Sequence, residues 1–344
     1  ETNLKEIRSI RPEMYYAQTR KYTGELGIIK RVESEPAKYT HEDEQFYKVH
    51  FETTATYETT VAKEHRLSAL LYYYMSSKQR MNKDIDAKAE TLRSMYAIPI
   101  RYQGLSGRIT YGFRDTYFMD VNFGYTGSEN FQSGHRFGFF PSVAVGWIPT
   151  QYEFMQRGLP WLNFLKIRAS YGTVGNDRLT DERFPYLTLM VDGDGGGWGS
   201  SSGYITEERV GANNLRWEKA KKADLGIEGR LFNEKLQFVV DFFQDKRDGI
   251  YQRRSQIPSY VGLTQMPFGN VGKMKSYGSD GNISFTQDFG KDMTLTLRGN
   301  FTYSANKVEN WEQAFQPYDY QNYTGYVNNA FRGYIALGLF RDEQ

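Results

Sequence analysis

The sequence predicts an all-β protein: an antiparallel, up-and-down transmembrane β-barrel. Three observations carry that expectation. Apolar and polar residues alternate with period two in stretch after stretch, many of these stretches exceed the usual five or six residues of a globular strand, and the links between them alternate short and long. In a strand, alternate side chains face opposite sides of the sheet, so such a pattern gives one apolar face and one polar face.

Residues 117–125 put Tyr117, Met119, Val121, Phe123 and Tyr125 on one face and Phe118, Asp120, Asn122 and Gly124 on the other. Residues 293–305 set Met293, Leu295, Leu297, Phe301 and Tyr303 against Thr294, Thr296, Arg298, Asn300, Thr302 and Ser304. The same alternation marks residues 47–57, 165–172 and 223–231, where Leu225 and Ile227 oppose Asp224, Glu228 and Arg230. About twelve such strands are expected, several near the 9 to 11 residues that a tilted strand needs to cross a bilayer. Short links fall near 62–66, 114–116, 232–234 and 288–292, with a longer one at 149–162. Long, extracellular-type loops fall near 77–94, 127–138, 174–214, 251–270 and 307–332. A soluble β-sandwich also alternates, but its polar face seldom carries Arg, Lys, Asp and Glu at every second place, whereas a wet barrel lumen accepts them. The expected lumen-facing residues are Asp120, Asn122, Arg168, Glu228, Arg230, Arg298 and Asn300; Val121, Phe123, Leu225, Ile227, Leu295, Leu297 and Phe301 are expected to face outer-membrane lipid.

Composition narrows the alternatives. The chain of 344 residues is 16% aromatic, yet its mean hydropathy is -0.66. The longest apolar stretch, 67–75, is broken by Ser68 and falls well short of the roughly 18 residues of a transmembrane helix. A net charge of +2 gives no nucleic-acid footprint, and the absence of cysteine excludes thiolate catalysis, disulfides and Cys-ligated metals. Residues 1–15 lack the apolar core of a secretory signal, so if the protein is exported this is a processed or partial chain.

Six motifs, in order, resemble the SusC/RagA-like family of TonB-dependent outer-membrane transporters. They are Phe140-Pro141-Ser142-Val143-Ala144-Val145-Gly146-Trp147, the run from Asn163 to Gly172 closed by Gly175-Asn176, Leu215-Arg216-Trp217-Glu218-Lys219, Asp224-Leu225-Gly226-Ile227-Glu228, Asn270-Val271-Gly272, and Gly333 to Phe340. The family's Asn-Lys-Gly-x-Glu stretch is replaced here by Ser276-Tyr277-Gly278-Ser279-Asp280. The resemblance implies that residues 1–344 are part of one barrel domain of roughly 22 strands, with the plug domain outside this chain. It also implies residence in the outer membrane of a Gram-negative bacterium, a SusD-like surface lipoprotein as partner, coupling to TonB of the TonB-ExbB-ExbD complex through the plug, and import of an oligosaccharide or peptide. The alternatives are an outer-membrane structural or adhesive β-protein and a secreted glycan-active enzyme.

Catalytic motifs are sparse, and no enzymatic activity or cofactor is expected. His41, His50, His65 and His135 form no His-Glu-x-x-His pattern, no Gly-x-Ser-x-Gly elbow occurs, and Asp181-Glu182 and Glu207-Glu208 read as solvated loop charges. Asp192 and Asp194, in a Gly-rich run, form a weak calcium candidate that lacks the distal Glu of an EF-hand loop, so no metal is expected. Trp198 in that run is a candidate ligand platform. A second platform comprises Trp311, Tyr318, Tyr320 and Tyr323, with Phe315 and Tyr326, interleaved with Asn310, Gln313, Gln316, Asp319, Gln321, Asn322 and Asn328. Rings supply contact area for a sugar or peptide while amides fix its orientation; an aromatic girdle or loop packing is the alternative for the same residues. Tyr72, Tyr73, Tyr74 and Tyr117 read as girdle.

Overall fold

The computed structural model describes residues 2–11, 14–19, 26–32, 35–82, 98–178, 183–193, 204–263, 265–290, 292–335 and 338, with side chains from Tyr47 onward except at 80–82, 191–193, 204, 206 and 259. Two compact units divide it, residues 1–49 with 76–100 and residues 50–75 with 101–344. The first contains β1 (Thr2–Arg11), the hairpin of β2 (Met14–Thr19) and β3 (Leu26–Val32), and the first part of β4 (Glu35–Val61), which pairs antiparallel with β1.

The second unit holds the rest of β4 and a meander of β5 (His65–Asn82, as far as Met75), β6 (Ile100–Phe113, from Arg101), β7 (Tyr117–Ser128), β8 (Phe137–Trp147) and β9 (Leu162–Asn176), followed, after a separate hairpin of β10 (Leu189–Gly193) and β11 (Tyr204–Arg209), by β12 (Glu218–Leu231), β13 (Leu236–Arg253), β14 (Phe268–Phe289) and β15 (Met293–Asn310). One 11-stranded sheet results, ordered β1-β4-β5-β6-β7-β8-β9-β12-β13-β14-β15, and every register determined in it is antiparallel. The run from β5 to β15 is an antiparallel up-and-down sheet of the kind that makes a barrel wall.

Register carries each face intact from strand to strand. Leu225 lies opposite Ala169 and Phe242, and the line continues through Val145, Met119 and Tyr111 on one side and Ser279 and Tyr303 on the other. This apolar face is open: Val145 is 51% exposed, Phe301 50% and Leu297 57%. The fully buried large side chains are only Phe131 and Leu215 among the described residues. A water-soluble sandwich would bury such a face against a second sheet; here it stays exposed.

The short turns behave as their spacing predicts. Arg114 and Asp115 both have φ of 50°, the left-handed geometry of a two-residue hairpin turn. Glu64 accepts from Arg114 at 2.8 Å, a hydrogen bond and charge that raise the pKa of Arg114 further, and Asp115 pairs with Arg66. At the β12–β13 turn, Phe232, Asn233 and Glu234 have φ of 56°, 57° and 65°, and Asn163 Oδ1 accepts the Asn233 and Glu234 N–H groups at 2.7 and 3.3 Å. The first residue of the second motif thus caps the turn at the end of the neighbouring strand.

Several boundaries differ from the sequence expectation. The loop expected at 127–138 shrinks because β7 runs to Ser128 and β8 begins at Phe137. The 174–214 loop contains the β10–β11 hairpin, and the 149–162 link contains a 3-10 turn (Pro149–Gln151) and helix α1 (Glu153–Gly158). Tyr72 and Tyr74 are not girdle residues. The Tyr72 hydroxyl donates to Glu52 at 2.9 Å, its ring stacks on Tyr74 at 5.7 Å, and Tyr74 fills the space over Gly104, which faces Thr126 on the polar side. Carboxylate pairing and a side-chain-free site opposite hold both rings on that side. Tyr117 stays on the apolar face and hydrogen-bonds Tyr152 in the short-turn link.

Gly278 is required by a close approach. A Cβ there would lie 2.1 Å from the Tyr303 carbonyl oxygen and 2.7 Å from the Phe243 ring, whereas at Gly146 the nearest atom is 3.6 Å away. Gly278→Ala should therefore destabilise the sheet by about 1–3 kcal/mol and Gly146→Ala should be near neutral; unfolding midpoints of the two variants in lipid provide the check, and equal midpoints would contradict it.

Candidate ligand-binding site

Motif residues remote in sequence meet at the long-loop end of the sheet. Phe131, Ala212, Leu215 and Trp217 form a buried cluster, with Phe140, Tyr251 and Phe268 packed against it. The Trp217 ring meets Phe140 edge-on at 5.2 Å, and its indole N–H donates to the Arg136 carbonyl at 3.1 Å. Phe140 occupies the space that side chains at Gly138 and Gly175 would fill. Asn270 clamps the strand start: its Oδ1 accepts from Arg216 N at 2.8 Å, and its Nδ2 donates to the carbonyls of Arg216 and Gly249 at 2.9 and 2.8 Å. Four motifs thus form one knot that fixes the roots of the loops.

A second anchor positions the candidate site. Glu312, 8% exposed, receives Arg254 Nε at 2.6 Å on its carboxylate, while its carbonyl accepts Ser255 Oγ at 2.5 Å and Gln252 Nε2 at 3.4 Å. That ties the segment after β15 to the segment after β13 and fixes Trp311 next door. Trp311 and Tyr323 approach to 6.1 Å, and both line a cavity of about 650 Å³ with Val308, Val327, Phe331 and Arg332. The Arg332 guanidinium lies over the Tyr323 ring at 4.6 Å and the Tyr326 ring at 5.7 Å. Gln313 braces the wall by donating to Asn322 at 2.9 Å and accepting from Tyr323 N at 2.6 Å. Rings, amides and one cation around a concave space suit a polar, ring- or amide-bearing ligand.

The polar face of the sheet carries ion pairs. Arg168 binds both oxygens of Asp241 at 2.8 and 2.7 Å, bridging β9 to β13 over Gly226, where a Cβ would come within 2.3 Å of Asp241 Oδ1. The glycine of the Asp224-Leu225-Gly226 motif is what allows the bridge. Asp280 lies directly opposite Asp241, a like-charge pair that Arg168 offsets. Arg168→Met should destabilise by about 1–3 kcal/mol, and adding Asp241→Leu should recover part of the loss, because the uncompensated carboxylate is removed. A double variant no more stable than the single one would contradict this.

Residues 9–338 match the model of the TonB dependent receptor-like β-barrel family. The chain belongs to that family. It is 27% identical over 261 residues to TonB-dependent receptor P39 of Formosa agariphila, covering 75% of this chain and 23% of that protein. It is 27% identical over 205 residues to TonB-dependent receptor SusC of Bacteroides thetaiotaomicron, covering 59% of this chain and 20% of that protein. Among solved structures, the RagAB peptide importer in its closed-closed state superposes with a TM-score of 0.66 at 21% identity, covering 84% of this chain and 34% of that chain. The chain therefore spans about a quarter of the length of the curated relatives it matches. It is a SusC/RagA-like, outer-membrane, multi-pass β-barrel sequence.

On this TonB-dependent receptor barrel sheet, Asp120, Asn122, Arg168, Glu228, Arg230, Arg298 and Asn300 share the polar face, and Asp120 accepts from Arg108 and Thr110 at 3.1 and 2.5 Å. The expected aromatic platform divides in two. Trp311 and Tyr323 line the cavity, whereas Tyr318 and Tyr320 stack on each other at 5.5 Å and are not part of its wall. Trp198 and Asp194 lie outside the described residues, and Asp192 is described only as backbone in β10. Among the described residues no cluster of acidic or histidine side chains is arranged to hold a metal. Sequence reasoning missed Arg332 and Glu312. A signal existed for the first, since Arg332 is the only Lys or Arg between Lys307 and Arg341; Glu312 had none, because its partners are more than 50 residues away.

Proposed function

We propose that this chain forms part of the wall, lumen lining and ligand-capturing loops of a TonB-dependent importer of an oligosaccharide or peptide. Family membership over residues 9–338 is the observation that carries the reading. The apolar face meets lipid, the ion-paired polar face lines the lumen, and the long loops face the medium. The cavity bounded by Trp311, Tyr323 and Arg332 contacts the nutrient as it arrives. The name of TonB-dependent receptor SusC supports TonB as the energy coupler; in this proposal TonB acts through a plug domain and a SusD-like surface lipoprotein is the partner. No covalent chemistry is assigned to the chain.

The test is uptake by cells carrying the full-length gene, its deletion, or a tonB deletion, each grown on panels of single oligosaccharides and peptides as carbon source. Loss of growth on one nutrient class in both deletions is the expected result. Growth unchanged by deletion of the gene across both panels would overturn the proposal.

A further inference from the structure

The outward face of β12–β15 ends, toward the long loops, in a row of lysines. Lys221 lies opposite Lys246, Lys246 opposite Lys275, and Lys275 opposite Lys307, so four adjacent strands carry a lysine at one hydrogen-bonded level. All four have the parity of Leu225, Phe242, Tyr277 and Tyr303, the apolar face, whereas Lys222 turns to the other side and pairs with Asp245 at 3.3 Å. On β9 the same level is Thr173, which confines the row to this sector. One step further toward the loops lie Lys219, Asp248, Lys273 and Asn310, with Glu309 at the bulge. Toward the turns the face is largely apolar, through Ile227, Val240, Phe238, Ile283, Phe285, Phe301 and Leu297. The lysines therefore stand at the border between the apolar band and the loops.

Like charges directly opposite in a sheet repel, and three consecutive such pairs are unfavourable without counter-charge. Among the described residues, Lys221 alone in the row has a carboxylate partner, Asp248 at 3.0 Å; Lys275 instead lies 5.6 Å from the centre of the Tyr277 ring. Lysine stems can lie along apolar surface while their ammonium groups reach the headgroup layer. We propose that this row binds the phosphate groups of anionic lipid headgroups in the outer leaflet, making β12–β15 a lipid-docking sector of the wall. The inference rests on the long loops facing the medium and is independent of which nutrient is carried.

The test uses the full-length protein in detergent, with native mass spectrometry reading its adducts with a bis-phosphorylated glycolipid and with the same lipid after dephosphorylation. The protein should retain the phosphorylated lipid at least about tenfold better. The quadruple variant Lys221→Gln, Lys246→Gln, Lys275→Gln, Lys307→Gln should lose that preference, and the quadruple Arg variant should keep it. If the quadruple Gln variant does not fold, Lys246→Gln with Lys307→Gln should give a partial loss. Equal retention of the two lipids, an unchanged preference in every folded Gln variant, or displacement of the lipid by millimolar inorganic phosphate, which would mark a soluble-anion site, would each overturn the proposal. Because no transport is measured, failure here leaves the import reading standing.

Discussion

Leu297→Arg is expected to cost about 2–4 kcal/mol of folding stability in a bilayer, and Arg298→Gln close to nothing. The two residues are neighbours on β15 and point to opposite faces. Leu297 lies opposite Phe285 on the exposed apolar side, five residues in from Asp292, so an arginine there places a charge in hydrocarbon with no carboxylate across the strand. Arg298 lies opposite Ser284 on the polar side, where water replaces whatever its guanidinium offers. Reversible unfolding of the full-length barrel in lipid vesicles measures both variants. Equal losses would mean that the sheet is not embedded in lipid, and a larger loss for Arg298→Gln would invert the faces.

That contrast was available from the sequence because side-chain direction in a strand is a local property. Alternation at 117–125, 223–231 and 293–305 assigns faces without knowledge of the partner strands, and the observed registers carry those faces across the sheet unchanged. Tyr72 and Tyr74 show where local reasoning stops. Their alternation was visible, but the aromatic triplet hid which side was polar, and only Glu52 and the open space over Gly104 decide it. The extra hairpin of β10 and β11 was hidden by its short strands.

The loop end was legible as composition and not as geometry. Nothing local in Leu215-Arg216-Trp217 announces that Trp217 packs on Phe140 or that Asn270 clamps Arg216, because these contacts join residues more than 50 positions apart. The motifs still pointed to the right residues. Phe140, Gly175, Trp217 and Asn270 form a single knot, and the glycine of Asp224-Leu225-Gly226 makes room for the Arg168–Asp241 bridge. Four of the motifs are thus packing or hydrogen-bonding requirements of the loop end, and the Asp224-Leu225-Gly226 motif is one of the polar face.

The aromatic platform gives the other large effect, and the structure divides it where composition could not. Trp311 and Tyr323 converge on a cavity with Arg332 above the Tyr323 ring, while Tyr318 and Tyr320 satisfy each other by stacking outside it. A ring that covers a sugar or peptide face contributes about 1–3 kcal/mol by its buried apolar area. In the full-length transporter, Trp311→Ala with Tyr323→Ala should therefore weaken nutrient capture by about 30-fold or more. Tyr318→Ala with Tyr320→Ala should change it by less than about threefold. Glu312→Gln should fall between these, since it loosens the ion pair to Arg254 that seats Trp311 but leaves both cavity rings in place. Affinity for the nutrient, measured by calorimetry beside a heat-resistance assay for the folded barrel, separates lost contacts from lost structure. If the Tyr318 and Tyr320 pair proves the more damaging in barrels that still resist heat, capture belongs to the exposed stack, and the cavity beneath Arg332 is only the packing that holds the loop.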